Sequence, residues 1–142
     1  MDWREHGVVN PIKNQLNCGG CWAFATTASG ESAYAIKTGT LLSFSEQNLL
    51  DCADFCQGCN GGWPDFAMLN IIYDQDGHFM SEYDYPYQGV VGKCAYDSTK
   101  AVGEITGSEY IEDGDENDLK EKVATLGGVA SCISATNIPF MS

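Results

Sequence analysis

Between Trp22 and Lys37 the chain is dominated by small residues, Ala23, Ala25, Ala28, Gly30, Ala33 and Ala35, with Glu31 and Lys37 as the only charges. A helix that is small and uncharged nearly all round is expected to be buried, and Gly39 ends it shortly after Lys37. Residues 1–20 lack helical periodicity and carry Gly7, Pro11 and Gly19, which reads as an extended segment wrapped over the surface. Ser43 with Glu46 three residues on has the form of a capping box, opening a short helix through Leu50. The stretch from Cys52 to Gly62 is a Cys/Gly-rich loop, and Pro64 at a first helical position begins a helix to about Tyr73. Tyr83, Tyr85 and Tyr87 around Pro86 read as an ordered loop packed on the core. Residues 104–112 are expected as a strand. Asp115, Glu116 and Asp118 favour a helix start, Leu119, Val123 and Leu126 recur at helical spacing, and Gly127-Gly128 stops the helix. Residues 129–135 then read as a strand. The apolar run Ile138 to Ser142 has no turn or polar cap after it and reads as a strand cut off from its partners, an aggregation liability if exposed.

The chemistry concentrates at the head of the first helix. Cys21 stands between the glycines of Cys18-Gly19-Gly20 and the start of that helix, six residues after Gln15. The thiolate is the nucleophilic form of cysteine, and the partial positive charge of a helix N-terminus favours it. Cys18 and Cys21 form a C-x-x-C pair, as do Cys56 and Cys59, so a zinc ribbon or a dithiol redox site is an alternative. Spacing weighs against it: 34 residues separate Cys21 from Cys56, most of them a helix, against roughly 15 to 20 in a ribbon. A thioredoxin-like site would follow a strand, whereas a Pro/Lys/Asn/Gln loop precedes Cys18.

Asp2-Trp3-Arg4, Pro11 to Gln15, Cys18 to Phe24, Leu42 to Cys52, Cys59-Asn60-Gly61-Gly62, Tyr85-Pro86-Tyr87 and Gly127 to Ala135 occur in one order and spacing. Together they resemble papain-family cysteine peptidases of the cathepsin L type. Gly20 departs from the Ser or Ala usual before the nucleophile, and glycine still permits the tight turn. The resemblance implies an α+β papain-like fold: a mainly helical lobe over about residues 10–103, then the beginning of a β-rich second lobe over 104–142. It implies Cys21 as nucleophile, Gln15 as oxyanion donor, and Gly19, Gly61 and Gly62 as a shelf for substrate backbone. Trp63 and residues 130–133, Cys132 among them, would wall the pocket for the side chain two residues before the scissile bond. Trp22 is expected to be packing. The resemblance also pairs Cys18 with Cys59 and Cys52 with Cys94, leaving Cys56 and Cys132 over.

The catalytic His and Asn of such peptidases lie roughly 130 to 150 residues beyond the cysteine. The two histidines here, His6 and His78, read as exposed loop residues without catalytic role. The chain is therefore expected to be the first part of a cysteine endopeptidase, inactive alone; a non-catalytic pseudoenzyme or an inhibitor-binding decoy is the alternative. Peptide or protein substrates and cystatin-like inhibitors are the implied partners, and no metal or organic cofactor is implied.

Composition narrows the setting. Twenty acidic against seven basic residues give a net charge of −13, which repels nucleic acid and anionic lipid alike. No run of apolar residues is long enough to span a membrane, and no signal peptide is expected in these residues. Seven cysteines point to an oxidising setting, lysosomal or secreted, and the odd total requires at least one free thiol in a monomer.

Overall fold

A computed structural model describes residues 1–133. Its helices are α1 (Cys21–Thr38), α2 (Glu46–Cys52), α3 (Pro64–Asp74) and α4 (Glu116–Leu126), with single 3₁₀ turns at Trp3–His6 and Gly58–Asn60. Strands β1 (His78–Phe79) and β2 (Val102–Glu104) pair antiparallel in a two-stranded sheet. The class is α+β and rich in helix, as expected.

Helix α1 is the axis of the core. Trp22 and Ala23 are buried on it against Phe44, Leu49, Leu50, Ala67, Ile71 and Phe79 from α2, α3 and the sheet region, and Ala35 is buried further along the helix. Phe44 and Phe79 stack with ring centroids 4.3 Å apart. The small residues of α1 let neighbouring elements approach closely, yet the helix is not buried all round: Ala28 and Lys37 are exposed. Glu31, on the other hand, is 3% exposed and paired with Lys13.

Helix α2 begins later than the capping-box pattern suggests. Its cap is Ser45, whose side chain accepts from the Asn48 amide at 2.9 Å. Residues 43–45 are held extended beside residues 80–82: Ser45 N–H donates to Met80 O at 3.0 Å and Glu82 N–H to Ser43 O at 2.9 Å. Ser43 is thus committed to a neighbouring segment and cannot open the helix. Helix α3 starts with Pro64 in its first turn, as its sequence suggests.

The expected strand over 104–112 is reduced to β2 and one further bond, Ile105 N–H to Gly77 O at 2.8 Å. A strand persists only while a neighbour accepts its hydrogen bonds, and β1 offers two residues. Residues 129–133 are irregular rather than strand. The rest of that expected strand, and the apolar run 138–142, lie outside the described residues. The Gly127-Gly128 stop has a second role: Gly128 N–H donates to Ser32 Oγ at 2.9 Å and Ser29 Oγ to Gly128 O at 2.8 Å. A Cβ at Gly127 would stand 2.8 Å from Ile36 Cδ1, so only glycine lets this turn settle on α1.

Candidate active site

Cys21 is the first residue of α1, with Gly20 as its N-cap. The Gly20 carbonyl accepts from the Ala23 and Phe24 amides at 2.8 and 3.3 Å, while the Cys21 N–H meets no acceptor among the described residues. The approach to the helix is held by a disulfide between Cys18 and Cys59 and by Gly19 N–H donating to Cys59 O at 2.9 Å. A Cβ at Gly19 would lie 2.5 Å from that oxygen, so a side chain there would push the turn off the loop. Gly20 is different. Its φ of −90° and ψ of 12° suit any residue, and a Cβ there would stand 3.3 Å from Leu50 Cδ2, so a serine or alanine fits with a slight give of Leu50. The departure at this position is therefore mild in structure as well. Cys21 itself is free and exposed.

Gln15 is drawn into the same turn. Its Nε2 donates to Cys18 O at 3.0 Å, and its carbonyl accepts from Cys18 N–H at 3.3 Å and from Tyr87 OH at 2.8 Å. Leu16, between them, has φ 55°, a left-handed conformation that a branched residue adopts only when its surroundings impose it. One Gln15 amide hydrogen is used on Cys18, and the other is left for a further acceptor.

Gly62 packs on the indole of buried Trp22, where a Cβ would come within 2.7 Å, and Trp22 Nε1 donates to Gly58 O at 3.0 Å. Trp22 is packing, as expected. Gly61 has φ 120° with open space where a side chain would project. Trp63 is 56% exposed and borders a hollow of about 250 Å³ with Phe55, Cys56 and Asn60. Cys132 instead lines a separate groove of about 610 Å³ with Ala33, Met68, Tyr110 and Ala130. Among the described residues, Trp63 and the pair Ala130 and Cys132 border two separate cavities, with Pro64 lining the second at the start of α3.

A sequence profile described as papain family cysteine protease matches residues 1–142. The chain belongs to the papain family of cysteine proteases. It is 41% identical to cathepsin L of Sarcophaga peregrina over 142 residues, 99% of this chain and 41% of that protein. It is 44% identical to procathepsin L of Mus musculus over 139 residues, 96% of this chain and 41% of that protein. Among solved structures it is similar to digestive procathepsin L 3 of Tenebrio molitor larval midgut, with a TM-score of 0.80 and 40% identity over 87% of this chain and 40% of that one. It is also similar to bromelain from Ananas comosus in complex with the E64 inhibitor, with a TM-score of 0.79 and 38% identity over 88% of this chain and 57% of that one. The chain thus spans 41% of the length of these two curated relatives.

For a papain-family chain, the rest of the cysteine and histidine inventory falls into place. Cys52 and Cys94 form the second disulfide. Since Cys18 and Cys59 are joined, each C-x-x-C pair has spent one thiol, and the zinc or dithiol alternative loses its ligands. His6 is exposed and its ring sits edge-on to Trp3 at 5.5 Å; His78 is half-buried in β1 rather than in a loop, its Nδ1 2.7 Å from Asp76 O. Sequence reasoning missed two features. Cys56 is a half-buried thiol 3.8 Å from Trp63 O, and burial pushes its ionisation up. Lys13 bridges Glu31 and Glu46 at 3.1 and 2.7 Å. Burial works against the Lys13 charge, but the bonds and charges of Glu46 and Glu31 outweigh it and hold the ammonium above the ordinary lysine range. No periodicity or motif signals a contact between residues 18 and 33 positions apart.

Proposed function

We propose that these residues form part of a cathepsin L-like cysteine endopeptidase that cleaves extended polypeptides by acyl transfer to Cys21. The observation that carries this reading is an exposed, unpaired Cys21 at the start of a buried helix, with Gln15 tied into the turn that leads to it. The Cys21 sulfur attacks the scissile carbonyl carbon, the C–N bond breaks with a proton delivered to the leaving amine, and water then cleaves the thioester. The Cys21 N–H and the remaining Gln15 amide hydrogen serve as donors to the oxyanion. Gly61 and Gly62 form a shelf for substrate backbone, open at Gly61 and backed by the Trp22 indole at Gly62, with Gly19 beside Cys21, and the cavities edged by Trp63 and by Cys132 receive side chains. The general base is a histidine outside residues 1–142, since His6 and His78 are engaged elsewhere. Residues 10–103 then act as the helical lobe and 104–142 as the beginning of its partner lobe. An oxidising lysosomal or secreted setting suits the two disulfides. Cystatin-like proteins are the expected inhibitors.

The test is hydrolysis of an unstructured peptide by the native-source protein containing these residues and by the 142-residue chain. Cys21→Ala is expected to abolish hydrolysis by the former, and Gln15→Ala to lower kcat/KM about 10²- to 10³-fold. The 142-residue chain is expected to show no turnover. Hydrolysis that survives Cys21→Ala would refute the peptidase reading. Turnover by the 142-residue chain that is lost in Cys21→Ala would refute the external base.

A further inference from the structure

Tyr87 touches both the stretch that carries Gln15 and the helix that begins at Cys21. Its hydroxyl donates to Gln15 O at 2.8 Å, and its ring packs edge-on against Phe24, one turn beyond Cys21 on α1, at 5.0 Å. The hydroxyl also lies beside Gly20, 3.7 Å from where a Cβ would stand. One half-buried side chain thus spans the candidate oxyanion donor, the turn and the helix of the candidate nucleophile.

Tyr87 is itself held in place. Its N–H donates to Glu82 Oε1 at 3.0 Å, and the next amide, Gln88 N–H, donates to Gln47 Oε1 at 2.8 Å. Gln47, 1% exposed on α2, also donates from Nε2 to Val90 O at 2.7 Å, and Ser45 Oγ donates to Tyr85 O at 2.6 Å. Residues 85–90 are therefore fastened to the buried start of α2. The turn they meet is less secure. Leu16, next to Gln15, has φ 55°, a conformation that persists only where the surroundings impose it. Within the turn, Leu16 N–H donates to Asn14 Oδ1 at 2.8 Å in an exposed bond, and Cys18 N–H reaches Gln15 O at 3.3 Å. From outside, the fastened loop supplies the Tyr87 hydroxyl on the Gln15 carbonyl and Gly89 against Leu16 Cδ1, 3.3 Å from where a Cβ would stand.

We propose that Tyr87 is a positioning residue for the oxyanion donor: by holding the Gln15 carbonyl while resting on Phe24, it sets the place of the Gln15 amide relative to Cys21. This role rests on the peptidase reading. An oxyanion donor works only when it is held where the charge develops, and a small misplacement forfeits much of its effect. Removing one neutral hydrogen bond from behind the donor is expected to lower kcat about fivefold to tenfold, less than removal of the donor itself. The interaction is made in the transition state and not with bound substrate, so KM is expected to stay the same.

The experiment is a double-mutant cycle of Tyr87→Phe and Gln15→Ala in the full protein that contains these residues, read by hydrolysis of an unstructured peptide. Tyr87→Phe keeps the ring on Phe24 and removes only the hydroxyl. Alone it is expected to lower kcat about fivefold to tenfold at constant KM; on top of Gln15→Ala it is expected to change kcat/KM by less than about twofold, because no donor is left to position. Exchange of Cys21 with a dipyridyl disulfide serves as the control. There the thiolate forms a new S–S bond as the reagent's own S–S bond breaks and a pyridine thiolate leaves, so no oxyanion arises and the rate is expected to be the same in Tyr87→Phe and parent. Should Tyr87→Phe fail to fold, Phe24→Leu, which removes the ring beneath Tyr87 and leaves the hydroxyl, takes its place in the same cycle with the same expected coupling. An equal loss with and without Gln15, a change in KM alone, or a matching loss in disulfide exchange would overturn the positioning role. A failure of the proposed function looks different: the full protein then shows no hydrolysis, or hydrolysis that survives Cys21→Ala.

Discussion

Helices α1 and α4 face opposite fates. Helix α1 has little amphipathic pattern and buries eight residues, whereas α4 has the more regular apolar stripe and buries none. Along that stripe Leu119 and Leu126 are 40% and 43% exposed. Periodicity identified both as helices, but burial depends on what is packed against them. Helix α1 is enclosed by α2, α3, the stacked Phe44 and Phe79, and the Lys13 cluster. Helix α4 is attached mainly by backbone groups: Trp3 Nε1 donates to Val123 O at 2.6 Å, and the Gly128 turn is held by Ser29 and Ser32. The first arrangement can position a nucleophile; the second anchors a chain segment without enclosing it.

The sharpest way to break this contrast is Trp22→Ala. The indole is 2% exposed, supports Gly62 and donates to Gly58 O, so its loss opens a cavity beneath both the nucleophile and the Gly61-Gly62 stretch. Denaturant unfolding is expected to show a loss of about 3–5 kcal/mol. A loss below about 1 kcal/mol would mean that the core around α1 is loosely packed, and that its rigidity does not come from this contact.

Next in size is the link between α2 and the loop at Cys94. Replacing Cys52 and Cys94 together by serine removes a cross-link spanning 42 positions and is expected to cost about 2–4 kcal/mol. Cys52 is the last residue of α2 and is buried, so the effect belongs to the enclosed region. An unchanged midpoint in the double variant would show that α2 and Asp51, which accepts from Gly92 N–H at 2.6 Å, hold the loop unaided.

What the sequence disclosed follows the range of the interaction responsible. Pro64 opens α3 and Gly39 closes α1 through local backbone chemistry, and both were readable. Ser43 looked like a cap and Ser45 is the cap, because Glu82, 39 positions away, claims the Ser43 carbonyl. Nothing local to Glu31 marks it as a buried partner of Lys13, which comes from 18 positions upstream. The strand expected over 104–112 shortened for want of a neighbour, a property of β1 rather than of its own residues. The two disulfides were legible through the family resemblance alone, since spacing leaves the pairing open. At the candidate site, Gln15 is tied to Cys18 in the turn that leads through Gly19 to Cys21, because these residues are close in the chain, whereas Trp63 and Cys132 depend on distant segments and border different cavities.

The smallest effect is the one most diagnostic of α4. Leu126 is the last residue of that helix, and truncating it to alanine removes side-chain atoms that are already 43% exposed. Leu126 borders the groove beside Ala130 and directly precedes the Gly127 cap, so the apolar area it still buries sets the loss, which comes to no more than about 1 kcal/mol. Alanine is also at least as good a helix former as leucine, so propensity does not add a penalty. Leu126→Ala is therefore expected to leave the unfolding midpoint of the 142-residue chain almost unchanged, beside the collapse expected of Trp22→Ala. A loss above about 1 kcal/mol would mean that the stripe is covered in solution. The contrast between the two helices would then be one of partners outside residues 1–133, and α4 would belong to a second core rather than to the surface of the first.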